Sequence, residues 1–307
     1  MTMKKLSVSF DGIENTTGYL FSFAKCLSAA LRCGGYEEYA DDIIASSGFA
    51  FRMWAAADLC PSATSIWEFK KQKPWVENGG LRCEYVERMW GEDSLDAERR
   101  GQAIGLIKRS IDDGTAAVVW DLSGCEWGLA IGYDDDAQRL YTLKQNGCED
   151  SIPYEKLGHL DIPILSVLCV AGKAPKPAEQ LISDTKRLAV SHLRGEEWCD
   201  NAKGLAAYDT LIGFIGEKLT ADSAWNLEYY LGTYAALKRY AWKFFDKFGE
   251  SRLAELYKNI FDAWQSAFEL KRARDITDES VKSGLIRLLS AARTAEAAAC
   301  DAMDRDK

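Results

Sequence analysis

The sequence predicts an α+β fold in two parts, a mixed first region followed by an all-α second one. Three observations carry this. Short apolar runs of strand type, at 116–120, 127–133 and 164–170, all precede Gly172. Beyond Glu179 the chain is amphipathic and rich in aromatics, and it has no proline after Pro177, which suits long helices. Between them stands Gly172-Lys-Ala-Pro-Lys-Pro177, polar and twice broken by proline. The expected organisation is a first domain at 1–172, a linker at 173–178 and a helical domain at 179–307.

Taken in order, 4–10 alternates and predicts a first strand. A loop at 11–19, with Gly12, Asn15, Thr16, Thr17 and Gly18, feeds a helix that stops at Gly34-Gly35. Phe23, Leu27, Ala30 and Leu31 recur on one face of that helix, and Ser22 is placed to cap it. Cys26 then stands near the positive end of the helix dipole, which favours a thiolate. Residues 36–46 read as a second helix with Tyr39, Ala40, Ile43 and Ile44 on one face. Ser47-Gly-Phe-Ala-Phe-Arg52 reads as a tight turn that aims Arg52 inward, as a structural pin or a ligand anchor.

Residues 67–78 read as a helix interrupted by Pro74 and closed by Gly79-Gly80, and 83–89 as a strand. A helix over 93–113 follows from the Ser94 cap, the stripe Ala103, Ile104, Ile107 and Ile111, and the stop at Gly114. The segments 127–133 and 139–144 form a hairpin around 134–138, whose three aspartates lack calcium-loop spacing. Helices are predicted at 179–194, 203–219, 222–248, 250–271 and 277–303. No fixed repeat connects them, so they form a bundle rather than a solenoid.

Composition narrows the function classes. The net charge of -9 argues against a nucleic-acid surface, which needs clustered Lys and Arg. No apolar run approaches the ~20 residues that span a bilayer, and the first ten residues lack a signal-like apolar core. Nine cysteines with no C-x-x-C pair, and only His159 and His192 as histidines, argue against structural zinc. They read instead as reduced thiols of a cytoplasmic protein. Neither a metal nor a cofactor is called for, and a homo-oligomer is left open.

A helix with a cysteine near its start, followed much later by antiparallel strands and a Gly132-Tyr-Asp-Asp135 turn, is a papain-like order. The stretch Cys125-Glu-Trp-Gly-Leu-Ala-Ile-Gly-Tyr-Asp-Asp135 resembles the strand and turn of bacterial papain-like peptidases that trim leader peptides. The chain also looks like the butirosin-H-type N-terminal domain, and like uncharacterised bacterial proteins in which that domain is fused to a helical one. Cys26-Leu-Ser-Ala-Ala-Leu, the 47–52 turn, Glu126…Gly132-Tyr-Asp and Gly204-Leu-Ala-Ala-Tyr-Asp209 carry the likeness. It implies a papain-like cysteine-peptidase fold for the N-terminal domain, with a C-terminal all-α helical bundle.

The departures matter for activity. Glu126 stands where the resemblance implies the catalytic His, and 144–146 where it implies the orienting Asp or Asn. Leu20 stands where it implies the oxyanion-hole Gln. Only Cys26 remains, and a carboxylate facing a thiol raises the thiol pKa. Ordinary papain-type proteolysis is therefore not expected. The expectation is a pseudoenzyme that binds a small molecule or peptide in the cleft near Cys26 and Glu126, with Trp127, Arg52 and Asn146 as ligand contacts. The alternative is a cysteine acyltransferase or an amide or thioester hydrolase. There Cys26 would be the nucleophile, with Glu126 or a mobile His moving protons.

Overall fold

Seven antiparallel strands make the principal sheet. The computed structural model describes residues 3–13, 16–64 and 67–305, so Asn15 of the expected 11–19 loop lies outside it. The chain divides into two compact units. The first comprises the described part of Met1–Ile13 with Ser22–Ile43 and Phe69–Lys176. The second takes Thr16 to Phe21, the described part of Ile44–Glu68, and the described part of Pro177–Lys307. One seam, at Lys176 and Pro177, falls inside the expected linker, but the first unit is not the contiguous stretch 1–172. Two inserts belong with the helices because their bonds lie there. Thr17 Oγ1 donates to Gly232 O at 2.9 Å, and Trp54 pairs with Lys203 in a two-residue ladder.

In the first unit the strands are β1 (Met3–Lys5), β2 (Leu81–Arg88), β3 (Ala117–Val119), β4 (Gly128–Asp134), β5 (Arg139–Leu143), β6 (Glu149–Pro153) and β7 (Leu165–Lys173). They run in the order β2-β7-β3-β4-β5-β6, and β1 pairs with the far end of β4. The helices are α1 (Ser22–Cys33), α2 (Gln72–Asn78) and α3 (Asp96–Asp112). Ala117, Val119, Ala130, Leu140, Val167 and Cys169 form one core with Ala103, Leu106, Ile107 and Ile111 of α3. Val118, Leu129 and Leu168 alternate to the opposite face and are equally buried. Helix α1 packs against β3 and β4. With both faces covered, these strands read as continuous apolar runs rather than alternating ones.

A bulge at Ile131 shifts the β4 register, so that Ala130 and Tyr133 point into the same core. Gly132 is required by its neighbour: a Cβ there would come within 2.6 Å of Lys4 O on β1. The first strand is Met3–Lys5 instead of the expected 4–10. Strand β6, Glu-Asp-Ser-Ile-Pro, was not anticipated; it is polar and ends in proline, as befits a sheet edge. Pro74 does not break α2 but occupies its first turn, where the missing N–H costs nothing. The expected helix over 36–46 is reduced to a 3-10 turn at Glu37–Tyr39 and one α turn at Ile43–Ser46. Asp41, between them, is drawn to Arg32 at 2.6 Å.

In the second unit the predicted helices appear within a few residues of their expected bounds. They are α4 (Ala178–Leu193), α5 (Leu205–Glu217), α6 (Ala224–Lys247), α7 (Ser251–Ala273) and α8 (Glu279–Arg305). Helix α7 packs against α6 and α8, and α8 also covers α4 and α5. The buried aromatics Tyr208, Tyr230, Tyr234, Tyr257 and Trp264 fill the bundle. Among the described residues, no helix is long and apolar enough to cross a membrane.

Candidate functional site

Ser22 is the first residue of α1, and its hydroxyl ties the helix to β4 instead of capping it. It donates to Glu126 Oε2 and accepts from Trp127 N at 3.3 Å. One turn further on, Cys26 is fully buried and its Sγ donates to Trp127 O at 3.6 Å. Trp127 is itself fully buried, edge-on to Phe23 at 4.9 Å and packed with Phe69 and Trp120. The structure thus brings Cys26, Glu126 and Trp127 together around the start of α1.

The electrostatics of this corner oppose a thiolate. Burial pushes the Cys26 thiol far above its ordinary range, Lys25 pulls it down in part, and the Glu126 carboxylate raises it again. Desolvation therefore dominates the helix-dipole argument. A neutral S–H that donates weakly to a carbonyl is the chemistry of a packed cysteine.

Beside this corner lies a pocket of about 350 Å³, lined by the segment 8–11 with Lys25, Leu143, Asn146 and Gly147. That volume falls in the range of small-molecule sites. Asn146 follows β5 in an exposed turn, where its Oδ1 accepts from Cys148 N at 3.0 Å. Lys25 is half-buried; its Nζ donates to Gln145 O at 2.7 Å and lies 4.5 Å from the centre of the Phe10 ring. Burial lowers the Lys25 pKa, against a smaller opposing effect from Cys26.

Lys25, Phe10 and Asp11 were not singled out from sequence, yet a signal for Lys25 exists. From Ser22 to Leu31 every other residue of α1 is buried. A single lysine in a helix buried on all sides has to carry its ammonium to an opening.

Arg52 belongs to the second unit, where it is 4% exposed. Its Nε donates to Glu197 Oε2 at 2.9 Å and its Nη1 to Thr64 O at 3.2 Å, and its guanidinium lies 3.9 Å from the Trp54 ring. His192 Nδ1 meets the other Glu197 oxygen at 2.6 Å. Burial alone would raise Glu197, but the Arg52 charge and the His192 hydrogen bond outweigh it and hold the carboxyl at about 2. These contacts describe a buried structural pin.

The other histidine, His159, is held by Asp96 Oδ1 at 2.7 Å, at the start of α3. Among the described residues, Asp121, Cys125 and Asp161 bring one metal-ligating atom each within 4.8 Å. Both Asp121 oxygens already accept backbone bonds, from Cys125 N at 2.7 Å and Ile162 N at 2.6 Å. All nine cysteines are free thiols. Comparison with models of protein families and with curated protein sequences finds no match to this chain.

Proposed function

We propose that the chain is a papain-like-fold cytoplasmic protein that binds a small polar molecule or a short peptide and does not turn it over. The pocket beside the Cys26 helix is its site. The single observation that carries this reading is Lys25: half-buried in a pocket of about 350 Å³, it has no carboxylate partner among the described residues. A cation withdrawn from water without a counter-ion is costly, and a ligand anion supplies one. Asn146 also lines the pocket and adds a second donor. Cys26 and Glu126, which do not line the pocket, are then packing residues beside the site rather than nucleophile and base. The reactive-cysteine alternative would need a solvent-reachable thiol of lowered pKa, whereas burial and Glu126 both raise this one.

The test is a thermal-shift screen of small polar metabolites and short peptides on the full chain, repeated on Ser9→Trp. Ser9 is an exposed residue of the pocket wall, so the larger side chain fills the pocket without entering a core. The expected result is a ligand whose stabilisation is lost in Ser9→Trp and kept in Cys26→Ala. A ligand indifferent to Ser9→Trp, or consumed in a reaction that needs Cys26, would overturn the reading.

A further inference from the structure

The charges around the pocket say more about its occupant. Lys25 and Asp11 both line it, and they cancel. Neither has a counter-charge among the described residues. Lys25 has its Gln145 carbonyl and the Phe10 ring, and the Asp11 carboxylate has no hydrogen-bonding or ion-pairing partner among the described residues. Asp11 is held only through its backbone, whose N–H donates to Ser9 Oγ at 3.3 Å. The two are not within ion-pairing distance of one another. A pocket that keeps an unmatched cation and an unmatched anion apart is matched by a ligand with the opposite arrangement.

We propose that this pocket binds an amino-acid zwitterion, its carboxylate on Lys25 and Asn146 and its ammonium on Asp11. The inference rests on the reading of this pocket as the ligand site and names the ligand class. Two donors line the pocket, the Lys25 ammonium and the Asn146 amide. The acceptor that lines it, Asp11, is a carboxylate, which also disfavours a simple anion such as phosphate. Phe10, Val8 and Leu143 give the wall an apolar part, fitted to a short aliphatic or aromatic side chain. The lowered pKa of Lys25 fits the same picture, because a bound carboxylate restores the charged form.

The test is acetylation of lysines in the full chain by an activated acetyl ester, read by peptide mass spectrometry. It is run with each common L-amino acid at millimolar concentration. Exposed Lys71 serves as the internal reference. At least one amino acid is expected to slow acetylation of Lys25 by about fivefold or more and to leave Lys71 unchanged. Its analogues lacking the amino or the carboxyl group are expected to bind about tenfold more weakly, the loss of one charged contact. Asp11→Asn should erase the preference over the deaminated analogue while retaining protection by it.

A deaminated acid that protects Lys25 as well as its amino acid overturns the zwitterion and leaves a ligand pocket. Lack of protection by every amino acid and every analogue overturns both.

Discussion

Cys26 Sγ and the carbonyl oxygen of Trp127 meet at 3.6 Å, and both residues are sealed from solvent. This contact, with the Ser22 hydroxyl one turn earlier, fixes the start of α1 against β4 and so fixes where Lys25 emerges.

Removing the Ser22 hydroxyl should therefore loosen the junction. Ser22→Ala leaves Trp127 N and Glu126 Oε2 each without this partner. The expected cost is about 1–3 kcal/mol in urea unfolding. A midpoint unchanged from wild type would mean that Ser22 does not hold α1 to the sheet.

The second unit carries a buried ion pair. Lys238 Nζ lies 2.6 Å from Glu296 Oε1, and both side chains are fully buried. Tyr208 donates to the other Glu296 oxygen at 2.6 Å, and Trp264 Nε1 donates to Tyr208. Lys238→Met strands the carboxylate and should cost about 3–5 kcal/mol. Replacing both partners with apolar residues should recover much of that loss, because no buried charge is left behind. Equal stability of single and double variants would contradict this account.

Glu197 sets an acid limit. Its carboxyl titrates at about 2 in the folded protein, below the ~4.3 of an unfolded chain. A depressed folded-state pKa stabilises above the unfolded value and loses that contribution as pH falls. Wild type should thus lose about 2–3 kcal/mol between about pH 4.5 and 2 through this group. Glu197→Gln, less stable at neutral pH, should show a shallower fall across that window when unfolding free energy is measured against pH. Parallel slopes in the two proteins would remove Glu197 from the acid response.

Gly132 tests the sheet. Gly132→Ala places a methyl group within 2.6 Å of Lys4 O, so β1 has to move. A loss of about 1–3 kcal/mol is expected, the usual cost of overpacking. Faster amide exchange at Leu6, whose N–H donates to Ile131 O just past β1, would accompany it. Unchanged exchange there would show that β1 does not lean on β4 as described.

What was legible in the sequence follows from periodicity. The long helices carry their own signal, because aromatic and aliphatic stripes such as Tyr230, Tyr234 and Leu237 persist over many turns. Elements made by partners rather than by pattern were not legible. Strand β6 is polar because it is an edge, and the Trp54–Ala55 ladder is too short to have a period. The inserts 16–21 and 44–68 join the helical unit through bonds such as Tyr234 OH to Trp54 O at 2.6 Å, a separation that no local spacing reveals. Of the site residues expected from sequence, Cys26 was marked by its place near the start of its helix, and Glu126, Trp127 and Asn146 through the papain-like resemblance. Lys25 was hidden between two apolar neighbours, although its isolation in a buried helix is the feature that points to the pocket.

The central claim is that Cys26 is a packed residue beside the pocket and not a nucleophile. The measurement that tests it most directly is alkylation of the native full chain by iodoacetamide, resolved cysteine by cysteine by peptide mass spectrometry. The exposed Cys125 and Cys148 provide the internal standard. Cys26 should remain unmodified while those two react, and should label only when the protein unfolds. Labelling of Cys26 in the folded chain as fast as Cys125 would contradict the account and return the thiol to the chemistry.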